Sequence, residues 1–82
     1  AEDRNARILD MISQLDERLR DNPDDIAGWQ RLIRSYVVLG RKADAEEALS
    51  RASEAFASDA EKRDTIVNFA AALGISSGGS VQ

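Results

Sequence analysis

The stretch IAGWQRLIRSYVVLGRKADAEEALSRASEAFAS, residues 26–58, decides the fold of this 82-residue chain. Its first part places Trp29, Leu32 and Tyr36 at positions i, i+3 and i+7, which lie on one face of an α-helix. Its second part carries a helical face made mostly of alanine: Ala45, Ala48, Leu49, Ala52 and Phe56. Gly40, between the two parts, suits the left-handed position at a helix end. The stretch therefore predicts a helix hairpin.

Further helices are predicted on both sides of the hairpin. A stripe with spacings of four, three and four predicts a helix over residues 3–21: Ile8, Ile12, Leu15 and Leu19. Pro23 ends it, because the residue before a proline avoids the α region. The second helix begins after a cap at Asp24 or Asp25 and ends at Leu39.

The third helix is predicted over residues 42–56 and the fourth over residues 60–73, with Gly74 as its cap. The inner face of the fourth helix is Ile66, Phe69, Ala70 and Leu73. The sequence thus predicts an all-α fold of four antiparallel helices in one domain, residues 1–75. The Ser- and Gly-rich residues 76–82 predict a flexible tail.

Composition disfavours several classes of function. The net charge is −4, and no basic face is obvious, which disfavours nucleic acid as a partner. The chain contains no Cys and no His, so the usual zinc ligands and the commonest nucleophile and general base are missing. We therefore expect a protein that is not an enzyme, with no catalytic residue, no metal site and no cofactor. The apolar stretches are too short to span a bilayer, so we expect no membrane contact by this chain.

Residues 26–58 resemble a tetratricopeptide repeat, a helix–turn–helix unit of about 34 residues. The matching residues are Trp29, Leu32, Tyr36, Gly40, Ala45, Leu49 and Ala52. Ile33 stands where a small residue is usual, which implies looser or altered helix packing, and Ala57 stands where a proline is usual. The resemblance implies a hairpin with flanking helices that are half-repeats or caps, arranged as a right-handed solenoid.

A more specific resemblance rests on short segments of the sequence. These are residues 16–19 (DERL), 22–25 (NPDD), 28–32 (GWQRL), 34–40 (RSYVVLG), 68–70 (NFA) and 73–75 (LGI). They are similar to the periplasmic repeat domain of cytochrome c maturation proteins of the CcmI/CycH type, particularly in alphaproteobacteria. The resemblance covers roughly residues 8–75.

This resemblance implies a chaperone. The family's repeat domain captures the C-terminal helix of unfolded apocytochrome c and presents that chain to subunits of the haem-ligation complex. The chain itself is then expected to bind no haem. It is expected to be a periplasmic domain taken from a longer bacterial protein whose inner-membrane anchor lies outside these residues.

The groove of such repeats is lined mainly by the first helix of each hairpin. This implies four peptide-binding candidates: Gln30, Arg34, Val37 and Asn68. Arg34 could bind a peptide carboxylate with two hydrogen bonds, or face solvent with an intrahelical partner such as Gln30. Trp29 is expected in the core rather than as a platform for a ligand.

Charged residues leave two further alternatives open. Arg41 and Lys42 suit the end of a helix, whose dipole favours cations, or they join Arg31 and Arg34 in a weak basic patch for an acidic peptide. An acidic series is better explained by a solvated face and helix caps than by a cation site, since it lacks the calcium-loop spacing. Its members are Asp10, Asp16, Glu17, Asp21, Asp24 and Asp25.

The alternative function is a structural or oligomerisation module that docks on another subunit or on itself. Helical repeats whose end faces lack polar caps behave in this way. Outward-facing Ile8, Ile12 and Ile66 would support it.

Overall fold

Four helices make up the protein in a computed structural model, which describes residues 2–75 and the side-chain burial of residues 6–75. The helices are α1 (Glu2–Asp21), α2 (Ile26–Val38), α3 (Lys42–Ala55) and α4 (Ala60–Ala72). All four predicted helices are confirmed, with ends that agree to about one residue. Residues 2–75 contain no strand, so the fold is all-α and compatible with a tetratricopeptide-type arrangement.

The carboxylate cap and the terminal glycine of α2 both recur in α4, one repeat length of about 34 residues further along the chain. The Asp25 carboxylate accepts a hydrogen bond from the Gly28 N–H, and the Asp59 carboxylate accepts one from the Lys62 N–H. Gly40 and Gly74 end the two helices with φ values of 75° and 84°, a region that an L side chain rarely adopts. The two helices therefore start and stop in the same way, although their sequences between the ends differ.

The hydrophobic core is shared by all four helices, and α2 packs against each of the other three. Leu32 and Ile33 of α2 are fully buried, and Trp29 is 2% exposed. The predicted inner face of α3 is confirmed, because Ala45, Ala48, Leu49, Ala52 and Phe56 are all buried. Alanine side chains are short, so α2 and α3 can approach closely where these residues meet.

Several individual predictions have clear outcomes. Ile33 is 0% exposed, so the larger side chain at this position is accommodated within the core. Ile12 and Ile66 are buried and Ile8 is partly buried, which removes most of the support that outward-facing isoleucines would give to docking. Ile75, which the sequence did not assign to the core, is buried after Gly74 turns the chain back.

The molecule is flat, with Cα extents of 38 × 32 × 15 Å. The smallest extent fits two layers of helices, since packed helix axes lie about 8–10 Å apart. None of the helices in residues 2–75 combines the length and apolar composition needed to cross a membrane. The predicted single domain over residues 1–75 stays a prediction, and the predicted flexible tail, residues 76–82, lies outside the described residues.

Replacement of either helix cap should destabilise the fold. Asp25→Ala or Asp59→Ala removes the acceptor for a free N–H at a helix start and should lower the free energy of unfolding by about 1 kcal/mol. Urea denaturation followed by the fluorescence of Trp29, the single tryptophan, measures the change. Asp64→Ala is the control, because this exposed aspartate lies inside α4 and loses the same charge without a cap. Equal effects of all three substitutions would contradict the assignment.

Candidate peptide-binding site

The outer face of α2 and the neighbouring side of α4 border a shallow groove of about 290 Å³, here called the α2–α4 groove. Its lining residues are Ala27, Gln30, Arg31 and Arg34 from α2 and Phe69 from α4. Ala27, Arg31 and Arg34 follow one another at i, i+4 and i+7, so they project from the same side of the helix. Because Trp29 and Leu32 turn inward to the core, this stripe turns outward.

The structure brings together two of the four predicted site residues. Gln30 is partly buried and Arg34 is exposed, and both line the α2–α4 groove. Val37 lines a different depression of about 270 Å³, where the C-terminal ends of α2 and α4 meet. Asn68 is exposed on α4 beside Phe69 and lines none of the depressions described here. A peptide site built on all four residues stays a prediction.

The groove carries positive charge. Arg31 and Arg34 are both exposed, and neither forms an ion pair or a side-chain hydrogen bond with another residue of the described part of the chain. Arg41, the third member of the predicted basic patch, instead pairs with Asp44 at 3.6 Å. Lys42, the fourth member, borders the depression that contains Val37. The available cations at the groove are therefore Arg31 and Arg34.

Trp29 is a core residue of α2 rather than part of the groove. It is 2% exposed, and its indole Nε1–H donates a hydrogen bond to the Pro23 carbonyl at 2.8 Å. The prediction that Trp29 is a core residue is thus confirmed. The Arg51 guanidinium lies 5.3 Å from the centre of the Trp29 ring, within the range of a cation–π contact.

The same Arg51 joins α3 to α1. Its Nη1 lies 2.6 Å from Oδ1 of Asp16, whose Oδ2 also lies 3.2 Å from Arg20. Asp16 Oδ1 accepts no well-aligned hydrogen bond from residues of the described part, so the short Arg51 contact is an ion pair. Asp16 and Arg51 thus tie α1 to α3.

A second concave surface lies between α1 and α2 and is here called the α1–α2 recess. It has a volume of about 170 Å³, and its lining residues are Ile8, Met11, Arg31, Arg34, Ser35 and Val38. Arg34 borders both this recess and the α2–α4 groove, since it stands on the ridge of α2 between them. Sequence reasoning missed the recess. The signal was Met11, which lies beside the core stripe of α1 rather than within it.

The acidic series does not converge on a common point. Within residues 2–75, no three carboxylates lie close enough to hold a metal ion together. Asp25 caps α2, Asp16 pairs with arginines, and Asp24 pairs with Lys62 at 2.9 Å. Each of these has a structural role.

The sequence of this chain is similar to those of known proteins. The cytochrome c-type biogenesis protein CycH of Rhizobium meliloti is 39% identical over 82 residues, which is 100% of this chain and 22% of that protein. The protein of the same name from Bradyrhizobium diazoefficiens is 43% identical over 60 residues, 73% of this chain and 16% of that protein. The chain is homologous to a segment of CycH.

The likeness to CycH confirms the resemblance inferred from the short sequence segments. The chain spans about a fifth of the length of the CycH proteins it matches. No family model matches the chain, including any model of a tetratricopeptide repeat. No solved structure matches it either. The repeat assignment therefore rests on the residues and on the recurring caps and glycines described above.

The pKa of the Tyr36 hydroxyl depends on how α2 packs in this CycH-like chain. Burial raises the pKa of its hydroxyl, and the negative charges of Asp44 and Asp16 raise it further. Arg51 acts in the opposite direction. A raised pKa means that the folded protein holds the proton more tightly than the unfolded chain. This contribution to stability is complete below the unfolded pKa and is lost as the pH rises through the folded pKa.

Tyr36 is the single tyrosine, so the ultraviolet absorbance of its phenolate reports one group. We expect a titration midpoint above about 10 in the folded protein and near 10 in urea. Asp44→Asn should lower the folded midpoint, because it removes a negative charge that disfavours the phenolate. Asp64→Asn, at an exposed position on α4, is the control. Equal midpoints for folded and unfolded protein would contradict the assigned environment.

Proposed function

We propose that this chain is a peptide-binding module of cytochrome c maturation that chaperones apocytochrome c by holding its C-terminal helix. The name of the CycH relatives supports the broader part of this proposal, a role in cytochrome c-type biogenesis. The α2–α4 groove supports the finer part, because it offers a surface on which a peptide helix can lie.

The observation that carries the proposal is that the α2–α4 groove combines apolar surface with arginines that form no ion pair within the described residues. Ala27 and Phe69 supply apolar surface in the groove, while Arg31 and Arg34 stand exposed beside it. An amphipathic helix binds such a groove through its apolar face. A guanidinium can receive a carboxylate through two parallel hydrogen bonds, so Arg34 is suited to an acidic side chain or a terminal carboxylate of the peptide.

The proposal also includes the compartment in which the chain acts and the proteins with which it acts. The chain acts in the bacterial periplasm as part of a protein anchored in the inner membrane. It passes apocytochrome c to subunits of the haem-ligation complex. Its own contribution is binding without catalysis, and it needs no cofactor for this.

Arg34→Ala should weaken binding of the apocytochrome c C-terminal helix by about fivefold, since an exposed charge pair contributes up to about 1 kcal/mol. Fluorescence anisotropy of the labelled peptide measures the affinity. Gln30→Ala should also weaken binding, because Gln30 lines the same groove. Arg41→Ala is the matched control, since Arg41 is an exposed arginine in the turn between α2 and α3, outside the α2–α4 groove.

Two results would argue against this function. Absence of saturable peptide binding by the intact chain would remove the chaperone role from this segment. Equal losses in Arg34→Ala and Arg41→Ala would indicate a general charge effect rather than a site in the α2–α4 groove.

A structural docking module remains the second candidate, and one observation favours it. Leu9, Met11 and Val38 are large apolar side chains with 40%, 38% and 67% of their surface exposed. A self-associating module would bury them between copies of the chain. Sedimentation equilibrium distinguishes the two functions, because the peptide-binding module is expected to be a monomer without its peptide.

A further inference from the structure

One side of α1 at the α1–α2 recess is exposed, whereas the corresponding side of α3 is buried. Ala45, Ala48 and Ala52 of α3 are buried, and α3 packs against both α2 and α4. One repeat length of about 34 residues earlier, α1 has Met11, Gln14 and Arg18 at the corresponding positions. All three are exposed. The described residues therefore supply no helix that covers this side of α1 as α2 and α4 cover α3.

The size of these side chains determines what can cover them. Alanine allows two helix backbones to come close, whereas methionine, glutamine and arginine hold a neighbour away at the length of their side chains. A helix that lies on Met11 and Arg18 must therefore contact side-chain ends. Such a contact places the helix axes further apart than an alanine contact does.

Four arginines give this surface positive charge. One exposed carboxylate lies against it, because Asp10 Oδ2 accepts a hydrogen bond from Gln14 Nε2 at 3.2 Å. Arg7, Met11, Gln14 and Arg18 recur at i, i+4, i+7 and i+11, so they form one stripe along α1. Arg31 and Arg34 face the recess from α2. None of these four arginines forms an ion pair within residues 6–75. A chain of net charge −4 thus presents a positive, partly apolar surface at this position.

We propose that the α1–α2 recess is a docking site for an amphipathic helix whose apolar stripe is flanked by carboxylates. Ile8, Met11 and Val38 contact the apolar stripe, and the arginines on either side contact the carboxylates. The helix lies beside α1 and α2 in the place that α2 has beside α3 and α4, but the side chains of Met11 and Arg18 hold it further from α1. This site is additional to the α2–α4 groove and does not depend on the proposed role of that groove.

Charge decides between this partner and a second copy of the chain. In a two-fold symmetric dimer through the recess, the arginines of one copy would face those of the other, and like charges at an interface are unfavourable. A helix with acidic flanks has the opposite charge to the recess. Positive charge and exposed apolar groups also suit an anionic lipid surface, but the apolar residues here line a concavity between two helices rather than a projecting face.

The test uses a synthetic, fluorescein-labelled helical peptide of about 14 residues, the length of four helical turns. Leucines form its apolar stripe and glutamates flank them. A matched peptide has lysine in place of each glutamate. The 82-residue chain should bind the glutamate peptide saturably by fluorescence anisotropy, at least about tenfold more tightly than the lysine peptide, and more weakly as salt increases.

Substitutions on α1 test the location of the site. Arg18→Glu should weaken binding of the glutamate peptide by about tenfold, and Met11→Gln should weaken it without changing the charge. Arg41→Glu is the matched control, with the same charge change at an exposed arginine in the turn between α2 and α3. Met11 and Arg18 are exposed, so these variants should fold, which circular dichroism checks.

Three results would overturn the proposal. Equal affinity for the glutamate and lysine peptides would show that charge does not select the partner. A dimer that Met11→Gln dissociates would assign the recess to a second copy, and binding to phosphatidylglycerol vesicles without peptide binding would assign it to lipid. Gln30→Ala tests the α2–α4 groove and Met11→Gln tests the recess, so failure of one proposal is distinguishable from failure of the other.

Discussion

The close contact between α2 and the alanine face of α3 is the interaction on which the rest of the structure depends. Ala45, Ala48 and Ala52 are almost completely buried, and their side chains end at Cβ, so the two helices can approach closely. This contact fixes which side of α2 faces inward. Trp29 and Leu32 then enter the core, and the opposite side of α2 has to face outward with Arg31 and Arg34.

The ends of α2 and α4 determine how these two helices lie beside each other. A carboxylate cap at the start and a left-handed glycine at the end appear in both α2 and α4. Because the two helices begin and end in the same way after similar connections, α4 comes to lie beside α2. The α2–α4 groove and the α1–α2 recess are the two sides of the resulting ridge. Arg34 borders both, and a substitution there affects two surfaces at once.

Some charged side chains form ion pairs within the structure, and others remain available to a partner. Arg20 and Arg51 pair with Asp16, Arg41 pairs with Asp44, and Lys62 pairs with Asp24. The Arg51–Asp16 pair joins α3 to α1, and the Lys62–Asp24 pair joins α4 to the connection before α2, while the other two pairs are local. Arg7, Arg18, Arg31 and Arg34 form no such pairs within residues 6–75. An overall charge of −4 therefore conceals a local positive surface, which is where an acidic partner would bind.

The sequence by itself determined the four helices, their ends and most of the core, because helical periodicity, proline, glycine and caps act over a few neighbouring residues. It also carried the relationship to CycH, which rests on residue identity. Only the tertiary structure separated Val37 and Asn68 from Gln30 and Arg34 and brought Phe69 to the groove. It alone placed Met11 of α1 beside Val38 of α2. Periodicity states which side of a helix a residue occupies, but the packing of one helix on another decides which sides meet.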